Sequence, residues 1–179
     1  MTQTSVETYT KPQIGLHNLM ALLLIGLYLF GLSLDSFDKS VRGTYVNFHA
    51  LGGVLVFVLL VLRLALRAKN PPPALPASMG PTFVKFAHLG HYALYALVAI
   101  IPLSGISMRL FAGHGLDFYL FQINSPFEAN KAISGPLHEV HEVAANLLAL
   151  LVVGHILVAL YHQFVLRDGL LYRLSPRGK

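Results

Sequence analysis

The chain has 179 residues, 55% of them hydrophobic and only 12% charged, with a mean hydropathy of +0.61. Such a balance excludes a water-soluble domain of this size and assigns the chain to lipid. There is no cysteine, which excludes disulfides, thiolate metal sites, iron–sulfur clusters and covalently attached c-type haem; the formal charge of +5 calls for no nucleic acid, because cations flanking membrane spans account for it.

The first residues are polar, and the apolar stretch behind them, Pro12 to Leu34, is long enough to span, so it is read as a retained helix rather than a cleaved signal. His17 lies at its start. A short loop with Lys39 and Arg42 leads to the second uncharged stretch, Gly43 to Leu62, which begins near His49 and closes on Arg63 and Arg67. Asn70-Pro71-Pro72-Pro73, with Pro76 and Pro81, marks a linker. The third stretch, Phe86 to Met108, opens on His88 and His91 and closes on Arg109. Gly113, Gly115, Pro126, Gly135 and Pro136 punctuate the next loop, which also holds Lys131. The fourth stretch, Val143 to Leu166, carries His155 and His162, with His141 just ahead of it. Each stretch has the roughly 20 residues that cross ~30 Å of hydrocarbon. The expectation is an all-α, integral membrane four-helix bundle, one domain over residues 1–179 with helices at about 12–34, 43–66, 84–108 and 139–166.

Orientation follows from the cations. Lys11, Arg63, Arg67, Lys69, Lys85, Arg167, Arg173, Arg177 and Lys179 flank one side, whereas Lys39, Arg42, Arg109 and Lys131 flank the other. The richer side is expected to be cytoplasmic, with both termini there.

Nine histidines is a high count, and an ionisable residue inside a span is a functional hypothesis by default. His141 and His155 are fourteen residues apart, nearly on one helix face and separated by about 21 Å along the axis. One face can hold two cofactors at two depths. His49 matches the depth of His141, and His17 that of His155, giving two bis-histidine pairs. Neutral imidazoles from two helices saturate a haem iron, and a flat apolar macrocycle suits the gap between bundle helices. Zinc would want three or four ligands at one depth. Gly15, Gly52, Gly53 and Gly154 are small enough to admit a porphyrin edge or simply to tighten packing. Arg63, Arg67 and Arg109 suit haem propionates, or else snorkel to head groups.

Several blocks are distinctive together: His17; Val46-Asn47-Phe48-His49-Ala50-Leu51-Gly52; Leu62-Arg63-Leu64-Ala65-Leu66-Arg67 leading to Pro71-Pro72-Pro73; Ala87-His88-Leu89-Gly90-His91; and His138-Glu139-Val140-His141-Glu142 with Asn146 and His155. In this order and spacing, from about residue 12 to residue 176, they resemble the bacterial cytochrome b561 family. The resemblance implies a four-helix cytochrome of the bacterial inner membrane with two non-covalent haem b groups, one on His17 and His155, the other on His49 and His141. One branch, the superoxide oxidases, takes electrons from superoxide at the periplasmic face and passes them to ubiquinone near the cytoplasmic face. On that expectation Lys39, Arg42, Arg109 and Lys131 would draw the superoxide anion to an outer mouth, with His114 and His138 in the loop over it. Reducing a quinone takes protons as well as electrons. His162, seven residues beyond His155 and ~10 Å nearer the cytoplasm, is the leading quinone contact, with His88, His91, Lys85 and Ser78 nearby. The alternative is a cytochrome b carrier or anchor subunit linking the quinone pool to an electron-transfer protein partner.

Overall fold

The computed structural model describes residues 8–75 and 79–174; Pro76, Ser78, Arg177 and Lys179 lie outside the described residues. Four long helices run antiparallel: α1 (Lys11–Ser33), α2 (Lys39–Lys69), α3 (Pro81–Phe111) and α4 (Lys131–Tyr161). Each is long and apolar enough to cross a membrane. A two-stranded antiparallel hairpin, β1 (Leu116–Asp117) and β2 (Gln122–Ile123), sits between α3 and α4, and α4 runs through a π-turn, His162–Leu166, to a 3-10 turn, Leu170–Leu174. The N–H of Tyr9 donates to the carbonyl of Arg173 at 3.1 Å, so the two ends of the described chain meet at one face of the bundle. That face is called the chain-end face below, and the opposite one the hairpin face.

The helix ends follow local chemistry. At the start of α1 the N–H of Thr10 donates to Gln13 Oε1 at 3.0 Å, half of a capping box, and Pro12 occupies the first turn, where its missing N–H is not needed. Gln13 Nε2 in turn donates to the carbonyl of Asn70 at 2.8 Å, tying the beginning of α1 to the end of α2. The prolines after Asn70 cannot continue α2, and Pro81 opens α3.

The helices outrun the uncharged stretches, because a helix need not end where the hydrocarbon does. The largest difference is in α4, which starts at Lys131 rather than near residue 139 and so absorbs Gly135 and Pro136. Asn130 caps it, its side-chain oxygen accepting from the N–H of Ala132 at 3.1 Å. Pro136 forfeits one bond to the carbonyl of Ala132, a local loss that the long helix behind it outweighs.

The bundle buries little. Leu16, Met20, Val56, Leu60, Val98 and Leu148 form its apolar centre, while residues such as Leu22, 72% exposed, line its outside. This inversion suits a chain whose surroundings are lipid. Packing is closest between α3 and α4; α1 and α4 approach each other at few points, one being the hydrogen bond from Tyr28 to Asn146 at 2.9 Å. The space left between helices is where His17, His49, His91, His141, His155 and His162 lie.

Candidate functional site

At the hairpin face, His49 of α2 and His141 of α4 oppose each other with ring centres 6.1 Å apart and planes at 77°. The Nδ1 of His141 lies 2.8 Å from the carbonyl oxygen of Ile101. A carbonyl only accepts, so Nδ1 carries the hydrogen and Nε2 keeps its lone pair. The Nδ1 of His49 is buried without a hydrogen-bond partner, an arrangement a protein rarely tolerates unless the ring is held for another purpose. Two glycines leave room for these rings. A Cβ on Gly31 would stand 3.1 Å from His49 Cε1, and one on Gly105 would stand 2.8 Å from His141 Nδ1. Neither stood out in the sequence. Of those that did, Gly52 packs against Leu27 and Gly53 against Pro102, whereas Gly15 and Gly154 face open space.

At the chain-end face, His17 of α1 and His155 of α4 stand 6.5 Å apart at 68°. A third imidazole joins them: His91 of α3 lies 5.5 Å from His155. Its Nδ1 donates to the carbonyl of Ala87 at 2.7 Å. Arg63 donates to Nδ1 of His17 at 2.9 Å, which leaves the hydrogen of a neutral His17 ring on Nε2; metal ligation through Nε2 requires the other tautomer, with Arg63 turned to another acceptor. Arg63 and Arg67 do not snorkel away. Their guanidiniums lie 5.6 and 5.8 Å from the centre of the Tyr95 ring, within reach of cation–π attraction. These side chains line a cavity of about 490 Å³ that also takes in Phe83, Phe86, Gly154 and His162, a size typical of cofactor and ligand sites.

His162 is 6% exposed, and its Nδ1 meets Asp168 Oδ2 at 2.5 Å. Asp168 escaped the sequence reading. It follows the π-turn, where Arg167 adopts a left-handed φ of 52° and Gly169 a φ of 76°, and that reversal folds the carboxylate back onto His162. Burial pushes the Asp168 carboxyl up, but the hydrogen bonds from His162 and the N–H of Leu170 outweigh it and hold the group below its ordinary value. His88 is exposed and does not join the cavity; Lys85 is exposed too, and Ser78 lies outside the described residues.

The four cations of the hairpin face do not form one cluster of free charges. Arg42 pairs with Asp35 at 3.4 Å and donates to the carbonyls of Asp35 and Phe37, bracing the first loop. Arg109 donates through Nε to the carbonyl of Gly115 at 2.7 Å and through a terminal nitrogen to Asn47 Oδ1 at 3.2 Å. Lys39 and Lys131 begin α2 and α4 and are exposed, as are His114 and His138.

Two imidazoles clamping one iron need ring centres roughly 6 Å apart, from about 2 Å of metal–nitrogen bond and about 1 Å of ring on each side. Both opposed pairs meet that requirement. Among the described residues no three His, Asp or Glu side chains converge as a polyhedral metal site would need. The donor set, the unpartnered His49 nitrogen and the apolar gaps between helices therefore fit haem b.

Comparison with known proteins bears on the same reading. The prokaryotic cytochrome b561 family matches residues 8–176. The chain is 28% identical over 177 residues to the cytochrome b561 homolog 1 of Escherichia coli K12, covering 97% of this chain and all of that protein. It is 28% identical over 174 residues to a probable superoxide oxidase CybB of Yersinia pestis, covering 97% and 98%. It is 30% identical over 181 residues to a cytochrome b562 of Cereibacter sphaeroides, covering 97% and 99%. Four spanning helices and a family match along nearly their whole length lead to one conclusion: this chain is a member of the prokaryotic cytochrome b561 family, the multi-pass bacterial membrane cytochromes of b type.

Proposed function

We propose that the protein is a di-haem cytochrome of the bacterial inner membrane that oxidises superoxide at the periplasmic face and delivers the electrons to ubiquinone near the cytoplasmic face. The observation that carries this reading is the pair of opposed imidazoles at each face, at ring separations of 6.1 and 6.5 Å. His49 and His141 would hold one haem, His17 and His155 the other. Bound there, the two haems supply one-electron chemistry across the bilayer. Two superoxide anions each give up one electron and become dioxygen; one quinone takes both electrons with two protons and becomes quinol.

The chain's own groups supply the rest. The cation count supports both termini being cytoplasmic, which makes the hairpin face periplasmic. Arg109, bonded to neutral oxygens, contributes positive charge there, and exposed Lys39 and Lys131, with Arg42, add to the attraction of an anion. At the cytoplasmic face, Arg63 and Arg67 are the cations placed for haem propionates, and His91, with Nδ1 committed to Ala87, keeps Nε2 free to bond within the cavity. His162 takes the role of quinone contact. With Nδ1–H donated to Asp168, its Nε2 can accept and return a proton, and the carboxylate stabilises the imidazolium formed in between.

The test begins with haem content, expected at two per chain, and a reduced-minus-oxidised spectrum of b type. Superoxide added anaerobically to oxidised protein should reduce the haems, and quinone added next should reoxidise them. The ligand assignment is tested by His17→Ala, expected to lose the chain-end haem, against His91→Ala, expected to keep it. A second reading, an electron carrier or anchor for a protein partner, draws support from relatives of equal similarity named only as cytochromes. It would prevail if superoxide leaves the haems oxidised while a membrane dehydrogenase reduces them.

A further inference from the structure

The hairpin between α3 and α4 presents a surface unlike the rest of that loop. Tyr119, Leu120 and Phe121 are 61%, 95% and 57% exposed, consecutive at its tip, with Ile123 exposed beside them. The segment is nonetheless ordered from within. Phe118 and Phe121 stack at 4.8 Å, and Asp117 folds its carboxylate back over the turn, accepting from the N–H of Tyr119 at 2.7 Å and from Gln122 at 3.0 Å. Tyr119 is held at a left-handed φ of 64°, a conformation that is strained for an aromatic residue. The chain thus accepts strain to keep a bare apolar tip facing outward.

The depth of that tip is set by α2. Asn47, only 5% exposed, grips the stem twice: its Nδ2 donates to the carbonyl of Asp117 at 2.8 Å, and its Oδ1 accepts from the N–H of Asp117 at 3.1 Å. Arg109 reinforces the clamp through Gly115 and Asn47. The next residue of α2, Phe48, faces outward and stacks on Tyr119 at 5.6 Å. Asn47 and Phe48 lie four and five residues into the uncharged stretch of α2 that begins at Gly43, about 6–8 Å below its rim at 1.5 Å per residue. A hairpin gripped at that level has its tip beside the acyl-chain boundary, and an aromatic that stacks on a lipid-facing Phe shares its solvent.

We propose that Tyr119, Leu120, Phe121 and Ile123 form an interfacial anchor, seated in the lipid of the hairpin-face leaflet with Leu120 and Phe121 among the upper acyl chains. Tyr119 lies at head-group level, as aromatic residues do in membrane belts. Asp117 and Gln122 stay on the aqueous side of the turn. The anchor ties the loop that carries Gly115 and Asp117 to the membrane surface as well as to α2.

The absence of cysteine from the chain makes the test direct. Leu120→Cys and Phe121→Cys, each the only thiol, are labelled with a nitroxide in the full-length, haem-loaded protein in lipid vesicles. Collisions with dioxygen, concentrated in hydrocarbon, are compared with collisions with a neutral, water-soluble nickel chelate. Leu29→Cys on the lipid side of α1 and Glu128→Cys in the exposed loop serve as references. The expected result is an oxygen-to-nickel ratio at 120 and 121 well above that at 128 and close to that at 29. A ratio matching position 128 overturns the proposal. So does a label shielded from both reagents, which would mean that a second copy or another protein covers the tip. Retained haem in each labelled sample reports an intact fold.

Discussion

The two histidine layers use the same side chain in opposite settings. At the hairpin face two imidazoles stand alone, one ring fixed by the Ile101 carbonyl, and glycines at 31 and 105 are needed for the rings to fit. At the chain-end face three imidazoles, two guanidiniums and a fourth histidine line an open cavity of about 490 Å³. One layer leaves little room beyond the two rings. The other has spare donors and spare room, as a place where a resident group meets a mobile substrate requires.

That contrast can be broken most forcefully at the tight layer. His141→Ala removes the ring that opposes His49, and His138, one turn away on α4, is exposed rather than opposed to it; the expected outcome is loss of one haem of the two, read from the haem-to-protein ratio. Gly105→Val is expected to act there through sterics, because even the first added carbon meets His141; overpacking of about 1–3 kcal/mol should appear as a lower melting temperature and easier haem loss. The same substitution at Gly26, which faces outward with open space around it, should do neither.

The open layer is expected to respond in rate rather than in haem content. Asp168→Asn keeps the shape of the side chain but removes the charge that supports a protonated His162; loss of such a supporting partner typically costs about 10–100-fold. Haem reoxidation by quinone should slow accordingly with both haems retained, and Asp168→Glu should recover part of the rate. The smallest effect is that of pH on the clasp itself. Because the folded carboxyl sits below the ordinary 3.8, its contribution is complete above that value and is lost as pH falls through the lower, folded one. Hydrogen exchange across Leu170–Leu174 should rise only in that acid range, and the rise should be absent in Asp168→Asn.

The spans and the paired histidines were legible because both rest on simple periodicities: runs free of charge, and a fourteen-residue return to one helix face. Asp168 was not, because its approach to His162 depends on a π-turn and two left-handed residues, and six residues is no helical neighbour spacing. His91 was placed at the right depth, but its closeness to His155 depends on how α3 rotates against α4. Gly52 and Gly53 tighten helix packing and Gly154 lines the chain-end cavity, whereas the glycines that touch the rings, Gly31 and Gly105, come from neighbouring helices, a contact no spacing along one helix reveals. Sequence position puts Arg42 and Arg109 at the outer mouth, but the loops claim both through carbonyl hydrogen bonds that no spacing rule reveals.

Between the two layers lie Met20, Val56, Leu60, Val98 and Leu148, a band of hydrocarbon crossed by a single polar contact named above, that of Tyr28 with Asn146. Electrons can tunnel through such hydrocarbon, whereas an ion has no charged side chain among these residues to pair with. The bundle would then behave as a wire with its insulation in place. Each electron crossing the band would work with or against the membrane voltage, at about 2.3 kcal/mol per 100 mV for a full traverse, so the voltage across the cell membrane would itself influence how fast the protein turns over.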